Sequence, residues 1–268
     1  MKPESRWIRI RRAFRLTAAE NQPGRERLAV KTGALGAVDR GAGQIWKALG
    51  RAGERRNTAI IFTSDNGLYF GEHRLSFEKI VPYRESLDVP LAMRLPAATK
   101  PAPESGRVVS DLVANVDLTA TILDLAGAEP CRRSNDCRTL DGRSLVDLAA
   151  GRDDDWPSNR RIPLELDTGG KPPDANSSCA YVGFRSAAEI YLRHTSAAGS
   201  DRVCEPTDQV EYYDLLDDPA QLTNLFPGAV AGIDPTLEAV LQRRADALAE
   251  CAGISGRDEP TGSRPFCR

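Results

Sequence analysis

Ile60-Ile61-Phe62-Thr63-Ser64-Asp65-Asn66-Gly67-Leu68-Tyr69-Phe70-Gly71-Glu72-His73-Arg74 is the stretch on which the reading of this chain turns. Thr58 to Thr63 is a short apolar, β-rich run without alternation, the pattern of a central strand covered on both faces. Asp65 and Asn66 follow its carboxyl end, where ligand sites form in α/β proteins. A carboxylate and an amide oxygen side by side are hard ligands suited to calcium or magnesium, and Gly67 lets the chain turn sharply away. Ser-Asp-Asn-Gly is equally a common turn sequence, so a metal site and a plain turn both stay open. His73 offers a hydrogen bond or a proton near neutral pH. Lys79, expected at the start of a helix, offers a compact positive charge for a developing oxyanion. Taken singly, these two also read as a solvated loop histidine and an ordinary surface lysine.

Upstream, Leu35, Val38, Ala42, Ile45, Trp46 and Leu49 recur at helical spacing, which predicts an amphipathic helix over 34–49 ended by Gly50 and Gly53. Helix, short charged turn and buried strand is the rhythm of an α/β layer architecture. Downstream, Leu91 to Leu95 reads as a second short strand stopped by Pro96. Asp117 is placed to cap a helix through Leu125, with Gly127 as its stop. Leu140 to Ala149 predicts a short helix. The Arg- and Asp-rich run 151–160 marks the expected domain boundary. Beyond it, 161–166, 180–185, 189–193 and 210–215 read as strands of a small antiparallel sheet, covered by a helix over 236–251. The expected organisation is therefore a basic segment 1–26, a partial α/β domain 27–155 and a small α+β subdomain 156–268.

The 268 residues carry 38 acidic against 36 basic side chains, a net charge of −2, so no strong overall field recruits nucleic acid or an anionic membrane. No run of about 18 apolar residues is present to cross a bilayer. Lys2, Arg6, Arg9, Arg11, Arg12 and Arg15 resemble the basic start of a signal peptide, but the apolar run of roughly 7 to 15 residues that should follow is absent. Six cysteines lie in the second half. With only two histidines they do not form a zinc-type spacing. They fall into three sequential pairs, Cys131 with Cys137, Cys179 with Cys204 and Cys251 with Cys267, which suggests disulfides and an oxidising compartment. Other pairings, or buried free thiols, remain open readings.

The run Asn57-Thr58 through Thr63-Ser64-Asp65-Asn66-Gly67, then Gly71-Glu72-His73, Lys79, Pro82-Tyr83, Glu85 and Val89-Pro90-Leu91, resembles the middle of type I sulfatases, particularly the N-acetylglucosamine-6-sulfatase branch. Val38-Asp39 with Gly43, Ile45, Leu49 and Gly53 is similar to the helix before that motif. Val116 through Gly127, Asp141-Gly142-Arg143-Ser144-Leu145, and finally Tyr213-Asp214-Leu215, Asp218-Pro219 and Asn224-Leu225 extend the similarity in order across about 27–226. The resemblance implies the C-terminal part of an alkaline-phosphatase-like αβα sandwich, followed by a small antiparallel sheet packed by a C-terminal helix. It implies sulfate-ester hydrolysis, with sulfated glycans as the substrate class. Asp65 and Asn66 match the family's later calcium-ligand pair, Lys79 a lysine that contacts the sulfate or ester oxygen, and His73 a substrate or leaving-group contact.

The family's nucleophile is a formylglycine made by oxidising the Cys or Ser of a Cys/Ser-x-Pro-Ser-Arg motif, and that motif does not occur in these residues. The early aspartate ligands should precede residue 27. The expectation is therefore a sulfatase fragment that is inactive alone, binds Ca2+ weakly or not at all, and awaits a missing N-terminal half. A noncatalytic remnant that binds sulfated glycans, and a phosphate or phosphonate ester hydrolase of the same superfamily, are the alternatives. For the full-length form the expected location is extracellular, periplasmic or at the cell surface.

Overall fold

The computed structural model describes residues 22–75, 79–99, 106–128, 140–152, 156–169, 178–199, 203–226 and 235–249. Two compact units divide between Ala98 and Thr99. That division falls upstream of the Arg/Asp-rich run 151–160. The pairs Cys131/Cys137 and Cys251/Cys267, and residues 1–21 of the basic segment 1–26, lie outside the described residues.

In the first unit, helix α1 (Gln22–Arg51) is longer than its apolar periodicity predicted. It ends where the glycines promised. Gly53 takes a left-handed φ of 76°, its N–H donates to Gly50 O, and Glu54 N–H donates to Leu49 O at 2.9 Å. This is the 6→1 and 5→2 closure that satisfies the last carbonyls of a helix. Trp46 anchors the end of α1: the Arg55 and Arg94 guanidinium groups lie over its ring at 4.6 and 4.9 Å. Arg94 also donates to the carbonyls of Arg55 and Thr58.

Strand β1 (Ile60–Thr63) pairs antiparallel with β2 (Leu91–Arg94), in the register Ile60↔Arg94 to Thr63↔Leu91. Between them lies a single helical turn, α2 (Arg84–Leu87). Both strands stand where the sequence predicted, but β1 is not covered on both faces, since Phe62 is 48% exposed. Among the described residues the sheet has only these two strands. Val30, Leu35, Val38 and Ile45 of α1 are exposed as well. An apolar strand and an apolar helix stripe are built here, and little of the described chain covers either.

In the second unit, helix α3 (Val116–Leu125) is stopped by Gly127 at φ 60°, with Gly127 N–H on Asp124 O and Ala128 N–H on Leu123 O. Contrary to the sequence expectation, Asp117 does not cap it; it sits one residue inside, fully buried, and Asn115 at the cap position makes no side-chain cap bond. The Asp117 carboxylate instead accepts from Ala114 N–H, from Arg143 N–H, and from both terminal nitrogens of Arg160 at 2.7 Å. A buried carboxylate is tolerable only with such full satisfaction. Arg160 and Trp156 both donate to Leu112 O. Gly142 packs its backbone against Val116 O, where a Cβ would lie 2.1 Å away. This docking of 140–145 leaves only Val146–Ala149 to form α4, shorter than the predicted helix over 140–149.

The five-stranded antiparallel sheet consists of β3 (Ile162–Asp167), β4 (Ser178–Arg185), β5 (Glu189–Ala198), β6 (Cys204–Pro206) and β7 (Val210–Asp214). Its path is β3-β4-β5, with β6 and β7 each pairing a different part of β5. Four of these strands follow the sequence reading, and β6 is additional. Helix α5 (Pro235–Ala249) packs Leu241, Ala245 and Leu248 onto Phe184 and Tyr191. Ile190, Tyr191 and Leu192 are consecutive and buried, so β5 is the strand enclosed on both faces. Cys179 and Cys204 form a disulfide that ties β4 to β6.

One buried polar chain crosses this sheet. Ser178 Oγ lies 2.9 Å from His194 Nδ1, His194 Nε2 lies 3.1 Å from Glu211 Oε1, and Tyr213 donates to Glu211 Oε2 at 2.7 Å. The motif after β7 closes the sheet edge. Asn224 Oδ1 accepts the N–H groups of Tyr212 and Phe226, while its Nδ2 donates to Val210 O.

Candidate functional site

The turn after β1 is shaped by its own side chains. Asp65 Oδ1 accepts Asn66 N–H at 2.9 Å and the Ser64 hydroxyl at 3.3 Å, and Ser64 Oγ also donates to Asn66 O. Asn66 Nδ2 donates to Gly67 O at 2.7 Å. Gly67 is required for a reason the sequence did not reveal. Its φ is not left-handed; rather, an added Cβ would stand 1.9 Å from Glu85 O. Its N–H donates to Ser86 O at 2.9 Å, clamping the turn onto α2.

Lys79 does not begin a helix, since α2 starts at Arg84. From irregular backbone its ammonium donates to Asn66 Oδ1 at 3.0 Å. Two residues chosen separately from the sequence thus meet across the loop.

His73 sits in a tight helical turn, Glu72–Arg74, at φ 49°. Non-glycine residues rarely adopt that conformation, and it is held here by the ring's surroundings. The imidazole stacks on Tyr83 at 4.1 Å between centroids and meets Tyr69 edge-on at 6.3 Å. Its Nε2 faces Glu85 Oε2 at 3.5 Å. Tyr69 is fully buried, donates to Val81 O at 2.7 Å and accepts Tyr83 N–H at 3.1 Å. Ser86 Oγ donates to Val81 O. Segment 81–86 therefore supports both halves of the site: its backbone grips Gly67, and Tyr83 and Glu85 flank His73. The sequence reading of the site named neither Tyr83 nor Glu85. The available signal was the place of Pro82-Tyr83 and Glu85 in the run quoted for the resemblance.

The described residues do not by themselves fit a calcium site. They contain no group of three His, Cys, Asp or Glu side chains able to hold a metal. Asp65 and Asn66 offer three side-chain oxygens, of which Asn66 Oδ1 already receives Lys79 and Asp65 Oδ1 the N–H of Asn66, whereas calcium takes about six to eight.

A family model described as Sulfatase matches residues 4–128. At the level of family, the match is to the sulfatases. The sulfatase-like chain is 32% identical over 231 residues to human N-acetylglucosamine-6-sulfatase, covering 80% of this chain and 39% of that protein. It is 31% identical to the N-acetylglucosamine-6-O-sulfatase of Bacteroides thetaiotaomicron, covering 71% of this chain and 30% of that protein. The chain thus spans well under half the length of these relatives. Among solved structures, a protein in complex with its substrate D-glucosamine-2-N,6-O-disulfate is 26% identical with a TM-score of 0.62, over 81% of this chain and 39% of that one. A 2-O GAG sulfatase shares the fold at 21% identity and TM-score 0.56, over 80% of this chain and 40% of that one. The α/β fold is therefore of the sulfatase, alkaline-phosphatase-like kind.

Proposed function

We propose that this chain supplies the substrate-side loop and the C-terminal subdomain of a sulfatase, an enzyme that hydrolyses sulfate esters, and that it is inactive alone. The observation that carries the reading is the Lys79 ammonium on Asn66 Oδ1, beside the Asp65-Asn66 turn and on the same scaffold as His73. A compact cation beside a carboxylate and amide pair suits an anionic ester whose bridging or terminal oxygens gain charge during cleavage. In this reading Lys79 contacts the sulfate group, and His73 contacts the ester or its leaving group. Asp65 and Asn66 contribute two oxygen ligands to a calcium ion whose remaining ligands come from outside the described residues. The bound metal would supply electrostatic stabilisation of the sulfate.

The nucleophile has to come from elsewhere, because Cys/Ser-x-Pro-Ser-Arg is absent from these 268 residues. Sulfated amino sugars of glycans are the substrate class, by extension from the relatives' names. The Cys179–Cys204 disulfide supports an extracellular or periplasmic setting.

The test is turnover of an aryl sulfate by this chain with calcium, beside the same chain joined to an N-terminal sulfatase segment carrying Cys-x-Pro-Ser-Arg and coexpressed with the formylglycine-generating enzyme. Activity only in the joined protein, lost on Lys79→Ala, is the expected result. Turnover by the chain alone overturns the claim that it is inactive alone. Silence in a joined protein that is folded and carries formylglycine overturns the enzymatic reading and favours a glycan-binding remnant.

A further inference from the structure

Glu85 has a carboxylate oxygen with an unusual position. Oε2 is buried and makes no hydrogen bond among the described residues, and the group it faces is His73 Nε2 at 3.5 Å. A buried carboxylate oxygen left without a partner is costly, so its placement calls for a compensating charge or donor. Other described groups near the imidazole have partners of their own. Tyr83 offers its ring face, and the Tyr69 hydroxyl is spent on the backbone of Val81 and Tyr83. Glu72 Oε2 accepts Phe70 N–H, and the Lys79 ammonium goes to Asn66.

The backbone of the same residue does a second job. Glu85 O lies so close to Gly67 that only glycine fits there. One residue thus touches the Asp65-Asn66 turn through its carbonyl and His73 through its carboxylate.

We infer that Glu85 is the positioning residue of His73: its carboxylate holds the ring with Nε2–H toward Oε2, against Tyr83, and favours the imidazolium form. His73 accordingly serves an anionic ester as a cation, rather than as a base acting through Nε2. This role deepens the sulfatase reading and takes its meaning from it, but the pairing itself is measurable without substrate.

The chain contains only two histidines, His73 and His194, so the imidazole resonances of the intact protein can be followed individually against pH, with His73→Asn assigning them. Replacing the charged carboxylate by the isosteric amide in Glu85→Gln removes the ion pair and keeps the volume. The expected result is a His73 transition moved to lower pH by on the order of half to one unit, with His194 unmoved. The cross-peak between the His73 and Tyr83 rings should persist, and Glu85→Asp should move the transition less. Identical His73 titrations in wild type and Glu85→Gln, with that cross-peak intact, overturn the inference. If Glu85→Gln loses the cross-peak, Glu85→Asp is read in its place: a His73 transition below that of the wild type supports the pair, and an unmoved one overturns it. Because no turnover is read, either outcome is separate from whether the joined protein hydrolyses a sulfate ester.

Discussion

The two units of this chain use similar sequence patterns to opposite ends. In the first, the uninterrupted apolar run Ile60–Thr63 forms a strand with Phe62 half exposed, beside a helix whose Leu35, Val38 and Ile45 also face solvent. In the second, the run Ile190-Tyr191-Leu192 is fully enclosed, with α5 packed on Tyr191. An apolar run without alternation therefore announces that a strand is designed for two covers; it does not say that the covers belong to the same stretch of chain. The second unit closes its own core and is held by a disulfide and buried ion pairs. Among the described residues of the first, buried side chains gather between Gly67 and Ser86, at Tyr69, Leu75, Val81, Tyr83 and Ser86, which is also where the candidate chemistry lies.

This contrast can be broken or sharpened by experiment, using Trp46 and Trp156 as local unfolding probes for the two units. The largest effect should come from Asp117→Ala, which leaves the Arg160 guanidinium buried without its carboxylate. A loss of about 3–5 kcal/mol is expected in the second unit's denaturant transition, with the first unit unchanged. Replacing Cys179 and Cys204 together by serine should cost about 2–4 kcal/mol in the same transition. Equal losses at both probes would mean that the units unfold as one.

Alkaline pH should also destabilise the second unit. Burial pushes the Tyr181 and Tyr191 hydroxyls up to about 12 from the ordinary 10. Between those values the folded state holds protons that the unfolded chain has released. Stability is thus complete below pH 10 and falls as pH rises toward 12, by up to about 1.4 kcal/mol per pH unit for each tyrosine. A pH-independent transition across that window would contradict it.

In the first unit, Gly67→Ala drives a methyl into Glu85 O. A cost of about 1–3 kcal/mol is expected, together with loss of the His73 to Tyr83 ring cross-peak. The smallest effect should be Leu35→Gln on the exposed stripe, within about 0.5 kcal/mol. A large loss there would show that the stripe is covered.

What the sequence revealed, and what it hid, follows the range of the interactions concerned. Gly53 and Gly127 were readable as helix stops because a left-handed residue beyond a helix end is a local requirement. Asp117 was misjudged because an acidic residue at a helix start looks like a cap, and only Arg160, far along the chain, reveals a buried ion pair. Strand β6 is three residues long and owes its existence to β5 and to Cys179. In the candidate site, Asp65 and Asn66 were visible from their place after a strand, and Lys79 and His73 from their charge and chemistry. Glu85 was not, because its importance lies in two contacts made across the loop. His194 was passed over for the same reason: its partners Ser178 and Glu211 sit on other strands.

The hydrogen bond from Gly67 N–H to Ser86 O has an evolutionary reading. It pinches the intervening segment, His73 and Lys79 included, into a loop closed at its neck. Lengthening such a loop costs closure entropy that grows only slowly with its size, while the neck keeps the Asp65-Asn66 turn where it is. Insertions and sequence drift inside the loop can therefore change what it presents without disturbing the strand that carries the turn. That makes this segment the natural place for an engineer to lengthen or graft the chain.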